Sequence, residues 1–153
     1  MQLKFRVILN VEEDVLRDIV LDSNTSLIEF SNIISSEFGF DSSEISTFYN
    51  TNDDWDQLSE IKIFKLEEKD KIMANASISN FFHLVGDKLI FIYDFLNYWT
   101  FFIELYEFDK SVIMNKEYET INSIGNVPKT APTNIFGFSN ENNDKEANDN
   151  YIN

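Results

Sequence analysis

Two alternating hydrophobic stretches, followed at once by a helical period, constrain this chain most. In QLKFRVIL, Leu3, Phe5, Val7 and Leu9 alternate with Gln2, Lys4, Arg6 and Ile8. That period of two gives a strand with one buried face. VEED interrupts it, and Val15–Leu21 alternates again, with Val15, Ile19 and Leu21 sharing a parity. So short a loop favours antiparallel pairing, hence a β-hairpin. The period then changes: Leu27, Phe30, Ile33, Ile34 and Phe38 fall at helical spacing. Ser26 with Glu29 fits a capping box, with Thr25 as the other N-cap candidate. Gly39 stands where a left-handed residue would end the helix. The spacing predicts a helix over 26–38, crossing the sheet that the hairpin begins.

Further strands are expected over 45–50 and 61–66, and a short helix over 77–84 capped by Ser77 or Asn75. Gly86-Asp87 makes a turn into a second hairpin, LIFIYDF and YWTFFIELYEF. Alternation puts Trp99, Phe101, Ile103 and Leu105 on a buried face. Tyr98, Thr100, Phe102 and Glu104 form a mixed face that could meet a partner. SIGNVPKTAPT carries both prolines and reads as an extended surface strap. The polar stretch SNENNDKEANDNYIN has too little apolar surface to offset its ordering entropy, so disorder is expected over 138–153. The expectation is one α+β domain over 1–130, with an antiparallel or mixed sheet of five or six strands and one main helix packed on one face. A β-grasp-like order is preferred, with a ferredoxin-like arrangement as the alternative.

Composition narrows the chemistry. The chain has 153 residues, which fits one domain able to bury a core without staples. It has no cysteine, which excludes disulfides, thiol catalysis and zinc sites with Cys ligands. A single histidine makes a Ser-His-Asp triad or a His-based metal site a poor fit. No apolar run is long enough to span a bilayer, and a cytoplasmic protein without membrane association is expected. The formal net charge of −15 opposes direct binding to nucleic-acid phosphates. It reads first as a source of solubility, with a basic protein partner or mimicry of nucleic-acid charge as the sharper alternatives.

NDDWDQ places Asp53, Asp54 and Asp56 around Trp55, but it lacks the glycine and terminal glutamate of a calcium loop. A structural loop with Trp55 packed on the sheet, or an acidic-aromatic partner contact, fits better. The partner-binding candidates are Asp53, Asp54, Trp55, Tyr98 and Phe102. His83, in FFHLV, reads as a packed or edge residue. Asp94 and Glu104 flank a turn unequally and make a weak acid/base pair. The four glycines form no phosphate-binding motif. No catalytic residue, metal site or cofactor is expected.

The segments LIEFSNIISSEFGF and YDFLNYWTFFI give the chain a family likeness. It resembles the plasmid pRiA4b ORF-3-like family, also labelled insertion-element passenger TnpR-like proteins. The family's clearest signature is YDFGD-x-W-x-H-x-I, and Tyr93, Asp94, Phe95, Trp99 and Ile103 match it in register. SIGNVPK has a late counterpart, and the acidic variants with DDW resemble Bacteroidetes proteins. The resemblance covers about residues 1–130. It implies an α+β fold and association with mobile elements, without an established activity. The signature's Gly, Asp and His correspond here to Leu96, Asn97 and Phe101, which weakens an enzymatic reading. A non-enzymatic protein-interaction domain is therefore expected. The alternatives are an accessory role in DNA transposition or recombination, and a metal-dependent hydrolase.

Overall fold

A computed structural model describes residues 1–109 and 116–133. The tail expected to be disordered, 138–153, lies outside the described residues. Seven strands form one sheet: β1 (Gln2–Leu9), β2 (Leu16–Asp22), β3 (Ser46–Asn50), β4 (Glu60–Lys62), β5 (Lys88–Tyr93), β6 (Trp99–Asp109) and β7 (Tyr118–Ile124). Their order is β4-β3-β5-β6-β1-β2-β7, and every pairing is antiparallel. Among the described residues one α-helix, α1 (Leu27–Glu37), covers one face, and a single 3-10 turn spans Ile78–Asn80.

The alternation read from sequence sets the faces. Leu3, Phe5, Val7 and Leu9 of β1 are buried under α1, as are Phe101, Ile103 and Leu105 of β6. Aromatic rings run through this core. Phe5 packs on Phe30 and Phe82 with centroids 5.0 and 4.7 Å apart, and Phe48 meets Phe91 at 4.9 Å. Phe101 meets Phe38 at 4.9 Å and Phe91 at 5.6 Å. Such tilted and edge-to-face pairs add about 1 kcal/mol each beyond the burial of their area.

The helix boundaries follow their signals. Ser26 Oγ accepts from the Glu29 amide, and the Glu29 carboxylate accepts from the Ser26 amide, which closes the capping box and settles the N-cap as Ser26. Gly39, at φ 82°, ends the helix. The Gly39 amide donates to Ser36 and the Phe40 amide to Ser35, the double bond of a Schellman ending.

The α+β expectation is overturned. The chain is a mostly-β fold: seven antiparallel strands with one 11-residue α-helix among the described residues. The β-grasp-like and ferredoxin-like descriptions fall with it. A ferredoxin-like unit has a second helix, whereas here the stretch expected to be helical over 77–84 makes only a 3-10 turn. There the Asp87 carboxylate accepts from the His83 and Leu84 amides and turns the chain. The expected strand 61–66 shortens to β4, because Asp70 gathers Lys62 Nζ and the Leu66 and Glu67 amides into a turn. β7 adds a strand where the apolar pattern is weak.

Arg17 fixes β7 at one end. Its guanidinium donates to the carbonyls of Leu16, Glu37, Ile124 and Gly125, and stacks 4.9 Å over Phe38. Gly125, at φ 76°, touches β2's entry so closely that a Cβ would lie 2.0 Å from the Asp14 carbonyl oxygen.

Candidate functional site

The face turned away from α1 holds the candidates read from sequence. Strand register places Tyr49 of β3 opposite Ile90 of β5, and Ile90 opposite Phe102 of β6. Ile92 lies between Thr47 and Thr100 in the same way. Ile90 and Ile92 are both fully buried, although they belong to no part of the helix-side core. An open sheet face would leave them wet, so this face carries a second small core.

The β3–β4 loop supplies its cover. Asn52 organises that loop: its side-chain oxygen accepts from the Asp54 and Asp56 amides, and its amide nitrogen donates to the Asp56 carboxylate at 2.9 Å. The Trp55 amide donates back to the Asn52 carbonyl, and Trp55 takes a left-handed φ of 61°. The result lays the Trp55 indole on Phe102, with centroids 4.8 Å apart. Lys88 Nζ lies 5.6 Å from the indole centroid and 3.1 Å from the Asp53 carboxylate. Tyr98 joins through its hydroxyl, which Gln57 Nε2 reaches at 3.2 Å. Burial, helped by the charge of Glu60 and by Tyr98, pushes the Tyr49 phenol up to about 12.

Trp55 and Phe102 therefore stack, with Asp53 tied to them through Lys88, while Tyr98 meets Gln57 and Tyr49 on the same face. Asp54 is exposed at the loop tip. The three loop carboxylates point to different jobs: Asp53 pairs with Lys88, and Asp56 closes the loop. Among the described residues no group of three or more His, Asp or Glu is placed to hold a metal ion. Asn52, Gln57 and Lys88 contribute to these contacts and were not named from sequence. The Asn-Asp spacing of NDDWD was the signal for Asn52; nothing local marks Lys88, whose charged partners Asp53 and Glu104 lie on other elements.

The remaining candidates scatter. His83 is exposed on the turn before Gly86, neither packed nor on a strand edge. Asp94 and Glu104 are not brought together. Glu104 lies opposite Lys88 at one end of the β5–β6 hairpin, and Asp94 lies in the turn at the other. Asp94, at φ 65° and almost fully buried, accepts from the Leu96 amide at 3.1 Å and from Asn97 Nδ2 at 2.6 Å. It is a turn-maker. Beside it lies a polar cleft of about 390 Å³ lined by Asp41, Glu44, Tyr93, Asp94, Asn97 and Lys129, among others. The Tyr93 hydroxyl donates to the Asp41 carbonyl, and burial raises that phenol above its ordinary range. The Ser43 hydroxyl, donating to Asp41, holds that carboxyl below its ordinary range.

The sequence profile described as "Plasmid pRiA4b ORF-3-like protein" matches residues 1–137. The chain belongs to this family. No curated protein matches the chain. Among solved structures it is similar to a protein of unknown function, MM3350, from Methanosarcina mazei Go1. The TM-score is 0.63 at 14% identity, over 80% of this chain and 68% of that one. The likeness shows a shared fold.

Membership gives the departures from the plasmid pRiA4b ORF-3-like signature their physical meaning. Leu96 stands 94% exposed at the tip of the β5–β6 turn. Asn97 braces Asp94. Phe101 is fully buried and packed on Phe38 and Phe91, under the helix. The positions of the signature's Gly, Asp and His thus lie in this member at a turn tip, a turn brace and the middle of an aromatic core. They do not converge on one site.

Proposed function

We propose that this member of the plasmid pRiA4b ORF-3-like family is a non-enzymatic binding domain for a basic protein partner. The observation that carries the reading is the use of its cations. Lys4 pairs with Glu107, Arg6 with Asp18, Lys62 with Asp70 and Lys88 with Asp53, while Arg17 is spent on carbonyls. A chain of net charge −15 that engages five of its twelve bases in this way presents a surplus of carboxylates to solvent. Complementary charge steers association and selects partners. Phosphate backbones meet the same surface as repulsion, which disfavours direct contact with DNA.

The test is affinity capture from a lysate, by the native chain and by a variant carrying Asp53→Lys, Asp54→Lys, Glu107→Lys and Glu117→Lys. The proposal expects the native chain to retain proteins of net positive charge at physiological salt, and the variant to lose them. Capture of the same set by both sinks the proposal.

A further inference from the structure

β7 is an edge strand of seven residues, whereas the opposite edge, β4, has three. The two edges are treated differently. The chain folds back on β4, where the Met73 amide donates to the Lys62 carbonyl at 2.7 Å. Beyond β7 no strand follows among the described residues. It contains no proline and no lysine, the residues that most often blunt an exposed edge. Ile121 and Ile124 are 47% and 44% exposed along it.

A groove of about 430 Å³ opens beside this edge, between β7 and α1. Glu29, Asn32, Ile33 and Ser36 line it from the helix, with Tyr118 at the start of β7 and Glu117 just before it. Glu29 to Ser36 spans about 10 Å of helix, the length of about three strand residues. Hydrogen bonds tie the two walls to each other: the Glu37 carboxylate accepts from the Tyr118 hydroxyl at 2.9 Å and from the Thr120 hydroxyl. The carboxylates that line the groove, Glu29 and Glu117, are both exposed.

We propose that β7 and this groove take an extended basic segment of a partner protein by strand addition. An open edge offers backbone hydrogen bonds to any strand, and neighbouring pockets select among side chains. Charge selects the occupant here. A second copy of the chain would bring another −15 to the same edge, whereas a segment of alternating lysine and apolar residues would set cations toward Glu29 and Glu117. The proposal rests on the basic-partner reading and gives it a place and a mode.

The test uses the full chain, ¹⁵N-labelled, titrated with a seven-residue peptide of alternating lysine and valine. The same peptide N-methylated at alternate residues is the control. Strand addition shifts the amides of Thr120 to Ile124 and slows their exchange with solvent, and the methylated peptide does neither. Glu117→Lys combined with Glu29→Gln, which retains the capping acceptor, weakens binding about tenfold. Binding that shifts Asp53 to Trp55 and leaves β7 unmoved overturns the strand-addition site while sparing the basic-partner reading. Equal binding of the methylated peptide also overturns it. A sedimentation result showing dimers that lose the β7 amides to exchange protection would give the edge to a second copy and overturn the assignment. No binding even at low salt sinks both readings.

Discussion

The indole of Trp55 rests on the ring of Phe102 with centroids 4.8 Å apart, joining the β3–β4 loop to the centre of β6. Phe102 lies opposite Ile90, which is dry on a face that α1 does not reach. Trp55 is thus first a structural cover, and the acids around it, Asp53 and Asp54, are what the loop shows to solvent.

Trp55→Ala should lower unfolding stability by about 2 kcal/mol, because a half-buried indole and its ring contact are lost. Asp54→Asn should change it by less than about 0.5 kcal/mol, as expected for an exposed loop tip. Urea denaturation of the two variants distinguishes them. Equal effects would mean that the loop does not cover the face.

Installing the family's histidine at position 101 should be costly. Phe101→His places a polar ring in a fully buried aromatic core, with no hydrogen-bond partner provided, and should cost about 3 kcal/mol. Leu96→Gly, at the exposed turn tip, should cost no more than about 1 kcal/mol. Thermal melts of both variants give the comparison. A stable Phe101→His variant would contradict the placement of that side chain.

Tyr49 predicts an alkaline transition. Its phenol has the ordinary tyrosine value of 10.0 when unfolded and is pushed up to about 12 in the fold, first by burial. A folded pKa above the unfolded one gives stability that is complete below pH 10 and lost as pH rises toward 12. Stability measured from pH 9 to 12 should fall less steeply in Tyr49→Phe than in the native chain.

Asp18 acts at the other end of the pH scale. The hydrogen bonds from Arg6, both 2.8 Å, hold its carboxyl below the ordinary carboxylate range, against the opposing effect of burial. A folded pKa below the unfolded one gives stability that is present above about pH 4 and lost as pH falls through the folded value. Asp18→Asn should flatten the acid limb of the stability profile. An unchanged limb would mean that the pair contributes nothing.

Gly125→Ala should loosen β7. The Cβ would meet the Asp14 carbonyl, and the φ of 76° is strained for alanine, at a combined cost of about 3 kcal/mol. Hydrogen exchange should show the loss concentrated in Tyr118 to Ile124.

The parts legible in the sequence are those with dense apolar periodicity. The first hairpin, α1 with Ser26, Glu29 and Gly39, and the β5–β6 hairpin all follow it. β7 was missed because Glu119, Ile121 and Ser123 face solvent, so that no buried face imprints alternation. Its pairing with β2 is set at long range, by Arg17 and by Glu37. Without that strand in the pattern, the helix dominates the sequence and the expected class comes out as α+β. The Trp55–Tyr98–Phe102 set could be named from residue types and strand parity. Its joining by Asn52 and Lys88 could not, since that depends on a loop crossing two strands.

The most direct test of the basic-partner account compares two ligands at low salt, where charge acts most strongly. The native chain is titrated with labelled duplex DNA and, separately, with the lysine–valine peptide. The account predicts saturable binding of the peptide that weakens as salt is added, and no shift of the DNA at any salt concentration. A DNA shift at low salt, with no peptide binding, would contradict it.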